Sequence, residues 1–118
     1  MKTIVNTPID LRDRTALFAR DVIRFVKPLR ANNVAIPITT QLIRSSSSIG
    51  ANFIEAKNAE SRKDFRYKVT LCKKEASETA YWLKLCEEFT DVTELSRLQK
   101  ECRELILILQ KIINTLST

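Results

Sequence analysis

An all-α, antiparallel four-helix bundle is the fold that this sequence predicts, on three observations. The chain has 118 residues with only one glycine and three prolines, too few for a turn-rich β fold. Apolar residues recur at alternating spacings of three and four in four separate stretches, as they do on one face of a helix. The connections are short, which favours an up-down-up-down order. We expect one domain over residues 1–118, with helices at about 10–29, 37–58, 61–89 and 93–116.

The composition is that of a globular protein, with 44% hydrophobic and 29% charged residues. No stretch approaches the roughly 18 apolar residues of a membrane span, and the first residues lack the apolar core of a signal peptide. The cysteines (Cys72, Cys86 and Cys102) fall at apolar helical positions without metal-ligand spacing, as small buried side chains do in a reducing compartment. We therefore expect a cytoplasmic protein without membrane contact.

The first helix is predicted to end near Leu29, because Pro28 removes a backbone N–H and disfavours helix at Lys27. Pro28 therefore marks either the end of the helix or a kink. Its predicted apolar face has spacings of four and three throughout and consists of Leu11, Thr15, Phe18, Val22, Phe25 and Leu29.

The second helix should start near Pro37, whose fixed φ suits a first helical turn. It contains four consecutive serines at 45–48 and the only glycine, Gly50. These are poor helix formers, and glycine costs about 1 kcal/mol relative to alanine. Ser46 and Gly50 lie four residues apart and would allow another helix to approach closely. That helix could belong to the same bundle or to a second subunit.

The third helix begins at Ser61, which forms a near capping box with Asp64. Its apolar positions keep a strict alternation over three heptads: Phe65, Val69, Cys72, Ala76, Thr79, Leu83 and Cys86. A second apolar face carries Leu71, Trp82 and Leu85. A helix with two apolar faces is expected to be covered on two sides.

Cations form a stripe on the same helix. At 100° per residue, four of them lie within about 40° of one another and two more flank them. The four are Arg62, Arg66, Lys73 and Lys84, and the flanking pair is Lys63 and Lys74.

The fourth helix has apolar residues at three-four spacing: Leu95, Leu98, Cys102, Leu105, Leu109, Ile112 and Leu116. Its middle, residues 105–109, reads LILIL and is apolar on every side. A single four-helix bundle has no central helix that could bury such a run. We therefore expect a homo-oligomer.

Three segments of the chain, IRSSSSIGANFIEA, AESRKDF and KKEASETAYWL, resemble a bacterial family known as four-helix bundle proteins. Some members are encoded in intervening sequences within large-subunit ribosomal RNA genes. The match covers the second and third helices, nearly half of the chain. Among the residues that carry it are Arg44, Ser48, Gly50, Asn52, Glu55, Glu75, Glu78 and Trp82.

The resemblance implies a ring of subunits, usually five. It also implies kinship with the accessory variability protein of diversity-generating retroelements, which binds reverse transcriptase and nucleic acid through a basic surface. A shared fold does not by itself transfer that role. The family residues are expected to be structural or to lie at subunit contacts.

Catalysis has little support in the sequence. The chain contains no histidine, which excludes Ser-His and Cys-His pairs and the Glu-x-x-His motif of di-iron bundles. Glu75 and Glu78 could hold an oxygen-preferring metal, but we expect them to meet arginines such as Arg44. No glycine-rich phosphate loop is present. We therefore predict no enzymatic activity, no cofactor and no metal.

The net charge of +6 favours acidic partners, and nucleic acid first. The basic stripe (Arg62, Lys63, Arg66, Lys73, Lys74, Lys84) would contact phosphates, with Tyr81 nearby for stacking. The genomic setting of the family favours RNA over duplex DNA, and we expect little sequence specificity. Two alternatives stay open. The stripe could be a solvated face, or the ring could be a scaffold for an enzyme such as a reverse transcriptase.

Overall fold

The computed structural model describes residues 10–117, and helices account for nearly all of them. No strand occurs within that range, so the predicted all-α fold is confirmed. The expectation that the chain lacks a signal peptide concerns residues 1–9, which lie outside the described part. The four helices are α1 (Leu11–Leu29), α2 (Ala35–Lys57), α3 (Arg62–Leu85) and α4 (Thr93–Leu116), and a 3-10 turn at Cys86–Glu88 extends α3.

Helices that follow one another in the chain are neighbours in space, and α1 meets α4 to close the bundle. Contacts between consecutive helices join residues whose numbers increase along one helix and decrease along the other. For example, Lys68 of α3 binds Glu55 of α2, whereas Thr79, further along α3, binds Ser45, which comes earlier in α2. Neighbouring helices are therefore antiparallel, as predicted. The contact between α1 and α4 is the smallest of the four, and ion pairs bridge it at two levels: Arg14–Glu101 and Arg97–Asp21, each at 2.8 Å.

Side-chain caps fix two of the helix starts. The Asp10 carboxylate accepts from the backbone N–H of Arg12 at 2.8 Å, and the Ser61 hydroxyl accepts from that of Asp64 at 3.0 Å. α2 begins at Ala35, two residues before the predicted start. Pro37 fits there because the N–H groups of a first turn have no partner within the helix. The α-helical part of α3 ends at Leu85, because the next three residues form the 3-10 turn.

The core follows the predicted period with one drift. In α3 every predicted position from Val69 to Cys86 is buried, and Phe65 is half-buried. In α4 the prediction holds as far as Leu109, but Ile113 is then buried in place of Ile112. A strict seven-residue repeat rotates by about 20° per heptad around a straight helix, so the buried face moves on to the next residue.

Small residues on α2 allow α1 to approach closely. A Cβ placed on Gly50 would lie 2.9 Å from Thr15 Oγ1 and 3.3 Å from Thr15 Cβ. Ser46 and Thr15 are each only 1% exposed. At Gly50 the predicted close approach therefore occurs between two helices of one chain, and Ser46, four residues earlier in α2, is buried.

Candidate nucleic-acid interface

The basic stripe predicted on α3 is divided into three parts along the helix. Its ends, Arg62 and Lys84, are about 33 Å apart along the axis at 1.5 Å per residue. Because α3 and α4 are antiparallel, Arg62 at the N-terminal end of α3 lies beside the C-terminal end of α4.

Arg62 and Arg66 bind the C-terminal end of α4. Arg62 Nη2 donates to the backbone oxygen of Thr115 at 3.4 Å, and Arg66 donates from Nε and Nη2 to Ser117 Oγ at 3.0 and 2.8 Å. The last carbonyl groups of a helix have no partner within it and carry partial negative charge, so cations stabilise this end. The two arginines therefore have a structural role. They also line an open cleft of about 610 Å³ with Lys63, Leu116 and Ser117.

Lys63, Lys73 and Lys74 are the cations of the stripe that form neither a hydrogen bond nor an ion pair among residues 10–117. Lys63 and Lys74 are exposed and Lys73 is half-buried. Within residues 10–117, none of the three has a carboxylate oxygen within 4.0 Å of its ammonium group. Their positive charge is therefore available to an anion in solution.

Lys84 lies at the far end of the stripe and pairs with Glu87 at 3.2 Å. Glu87 also accepts from Gln99 Nε2 at 2.8 Å, and these two donors, Gln99 the stronger, lower its pKa. Arg103 of α4 lines the same cleft as Lys84. Sequence reasoning missed Arg103, because the apolar period of α4 does not indicate which of its exposed cations lie beside α3.

Arg44 of α2 joins two carboxylates of α3. It lies 3.3 Å from Glu75 and also binds Glu78, while Gln41 accepts from its Nε at 3.0 Å. Trp82 Nε1 donates to Glu78 at 3.1 Å. The Trp82 indole, followed by Arg44, lowers the pKa of Glu78. The expected meeting of Glu75 and Glu78 with Arg44 is thus confirmed within one chain.

Three other family residues make local contacts. The Ser48 hydroxyl donates to the Arg44 carbonyl at 2.8 Å, and Asn52 Nδ2 donates to the Ser48 carbonyl at 2.9 Å. Glu55 accepts from Lys68 at 3.0 Å and raises the pKa of that lysine. These residues shape α2 and link it to α3.

The structure offers little to a metal or to a nucleophilic mechanism. No group of three or more potential metal ligands occurs in the described range. Burial raises the pKa of Cys72 and Cys102 to about 12 and that of Cys86 to about 11. The three thiols are therefore protonated near neutral pH, whereas the thiolate is the reactive form.

The apolar run of α4 is only partly covered by its own chain. Leu105 and Leu109 are buried, but Leu107 is 69% exposed. A shallow groove of about 310 Å³ lies one turn further on and is lined by Ile108, Lys111, Ile112, Thr115 and Leu116. No helix formed by residues 10–117 is long and apolar enough to cross a membrane.

Comparison with known proteins assigns the chain to a family. A sequence profile described as 23S rRNA-intervening sequence protein matches residues 9–111. The chain is also similar to a crystal structure of a protein with unknown function from the S23 ribosomal protein family of Bacteroides thetaiotaomicron VPI-5482. The two are 33% identical, with a TM-score of 0.81 over 88% of this chain and 98% of that one. No curated protein matches the chain. The protein belongs to the 23S rRNA-intervening sequence protein family.

Proposed function

We propose that this protein is a cytoplasmic, non-enzymatic, self-associating bundle that binds nucleic acid, RNA in preference, through the basic stripe of α3. The observation that carries the proposal is that Lys63, Lys73 and Lys74 lie on one helix and form no hydrogen bond or ion pair within residues 10–117. Arg103 adds a cation from α4 beside Lys84. Lysine and arginine side chains in a row neutralise successive phosphates and release their counterions, which gives salt-dependent affinity.

Binding of this kind reads the phosphate backbone and not the bases. The cations of the stripe follow one helix axis, and Arg62 and Arg66 are already bound to the end of α4. Phosphate contacts position a protein on nucleic acid without selecting a sequence. Low sequence specificity therefore follows from the proposal.

Self-association would bring several stripes together. Exposed Leu107 and the apolar groove at Ile108 and Ile112 supply a surface for a second copy. We propose a homo-oligomer, in line with the five-membered ring that the family resemblance implies. Linked copies of a weak site bind far more tightly than one copy does.

The alternative function is a scaffold for a protein partner, such as a reverse transcriptase, without a direct role for nucleic acid. The observation that favours it is again the apolar surface at Leu107, Ile108 and Ile112, because obligate protein interfaces are more apolar than the rest of a surface.

Charge reversal at two central lysines separates these functions. We would measure RNA binding by fluorescence anisotropy for Lys73→Glu combined with Lys74→Glu. Arg20→Glu with Lys27→Glu is the matched control, because it makes the same change in net charge at exposed positions of α1, which packs on α2 and α4. Arg66 is unsuitable, since its loss would also disturb α4. The proposal requires the α3 variant to lose affinity much more than the control. Equal affinities would favour the scaffold.

A further inference from the structure

The outward face of α3 carries tyrosines and lysines in alternation. At 100° per residue, Lys63, Tyr67 and Tyr81 each lie within about 20° of Lys74 around the helix. The order along the helix is Lys63, Tyr67, Lys74 and Tyr81, over about 27 Å. We call these four residues the tyrosine–lysine row. The row shares Lys63 and Lys74 with the basic stripe. The other cations of the stripe lie on the neighbouring side of α3, where Arg62 and Arg66 bind α4.

Both tyrosines are open to solvent, at 58% for Tyr67 and 56% for Tyr81. The five phenylalanines, in contrast, are all buried or half-buried. Among the aromatic side chains of residues 10–117, only these two are exposed. An exposed tyrosine is common on a surface, but two exposed rings aligned with two lysines that form no ion pair within residues 10–117 make a regular pattern.

The Tyr81 ring is held in place by its neighbour. Its centroid lies 5.0 Å from that of Trp82, with the planes at 68° in an edge-on arrangement. Trp82 is in turn fixed by its hydrogen bond to Glu78, which Arg44 also binds. Glu78 lies one helical turn after Lys74 on α3, and Trp82 and Arg44 both donate to its carboxylate. A positioned ring loses less freedom when a ligand stacks on it.

We propose that the tyrosine–lysine row binds single-stranded nucleic acid, with bases stacked on Tyr67 and Tyr81 and phosphates at Lys63 and Lys74. Stacking on aromatic rings beside cations is how proteins bind single strands without selecting a sequence. A duplex keeps its bases paired and cannot offer them to an exposed ring. The two tyrosines are about 21 Å apart along the axis, which spans about six nucleotides of a stacked strand. This inference rests on the proposed function and adds the strandedness of the ligand.

The test compares an unstructured RNA of 12 nucleotides with the 12-base-pair duplex of the same sequence. The variants are Tyr67→Leu and Tyr81→Leu, and their matched controls are Tyr67→Phe and Tyr81→Phe, which keep the ring. We expect each leucine variant to lose about tenfold in affinity for the single strand. Each should keep its affinity for the duplex, and the phenylalanine variants should bind both RNAs as the unchanged protein does.

Retained single-strand affinity in the leucine variants would overturn the inference. If Lys73→Glu with Lys74→Glu still abolished binding in that case, the proposed function would stand and only the role of the tyrosines would fail. Absence of any RNA binding by the unchanged protein at low salt would overturn both. A fall in mass by light scattering in the leucine variants would show that the rings are subunit contacts, which also overturns the inference.

Discussion

At the scale of single residues, one buried hydrogen bond and one close helix–helix approach explain why α2 tolerates so many small side chains. Thr79 Oγ1 donates to Ser45 Oγ at 2.8 Å between α2 and α3, and both residues are 0% exposed. Gly50 on another side of α2 leaves room for Thr15 of α1. Small residues in α2 are thus used at contacts with two neighbouring helices.

Replacing Gly50 by alanine should destabilise the protein, although alanine is the better helix former by about 1 kcal/mol. The new methyl group would overlap Thr15 Oγ1, which already donates to the Leu11 carbonyl at 2.6 Å and cannot move away easily. Overpacking costs about 1–3 kcal/mol, so we expect a net loss of about 1 kcal/mol and a lower Tm at fixed protein concentration. Ser47→Ala, at an exposed position of the same helix, is the control and should not lower Tm. An unchanged or higher Tm for Gly50→Ala would contradict the close approach.

The Ser45–Thr79 hydrogen bond predicts strong coupling between two substitutions. Thr79→Val should cost about 1 kcal/mol, because it removes the buried hydrogen bond to Ser45, whose hydroxyl then keeps only its longer bond to the Leu42 carbonyl at 3.4 Å. Adding Ser45→Ala removes the hydroxyl that has lost its partner on α3, so the double variant should be more stable than the sum of the single losses predicts. A double-mutant cycle of denaturant midpoints measures this, and additive losses would show that the two hydroxyls do not interact.

At the scale of elements, the sequence predicted the helices and most of the core but not what the arginines of the basic stripe bind. Periodicity is a local property, and it identified the buried face of α3 from Val69 to Cys86. Drift of the face explains the exchange of Ile112 for Ile113 in α4. The roles of Arg62 and Arg66 could not be predicted, because they depend on where α4 ends in space. The buried position of Ser45 was missed because a serine gives no hydrophobic signal.

The contact of Arg62 and Arg66 with α4 predicts a local effect on that helix. Changing both to glutamine removes the cations that stabilise its C-terminal end. We expect faster amide hydrogen exchange over residues 111–117 and little change in the first half of α4. Lys63→Gln, at a neighbouring cation without a bond to α4 among the described residues, should leave that exchange unchanged. Uniformly faster exchange along α4 would indicate general destabilisation.

At the scale of the whole molecule, the apolar run of α4 is the feature that one chain does not bury completely. Leu107 is 69% exposed next to a groove lined by Ile108 and Ile112. The sequence predicted this excess, since a run that is apolar on every side exceeds what one face of a bundle buries. It could not predict which residue of the run stays outside.

Leu107→Glu should therefore reduce the mass of the protein in solution, because a charge would enter the proposed contact between copies. Leu17→Glu is the matched control, as Leu17 of α1 is also exposed, at 49%. Light scattering at the same protein concentration measures both variants. A mass that falls equally with both changes, or with neither, would remove Leu107 from the contact.

Nucleic-acid binding through the basic stripe is measured most directly as RNA affinity across a salt series, with the mass determined on the same sample. The proposed function predicts an oligomer whose affinity falls steeply, by about one power of salt concentration for each phosphate neutralised. It further predicts a smaller slope once Lys73 and Lys74 are changed to glutamate. An oligomer that binds no RNA at low salt, or affinity that does not depend on salt, would contradict nucleic-acid binding through the basic stripe.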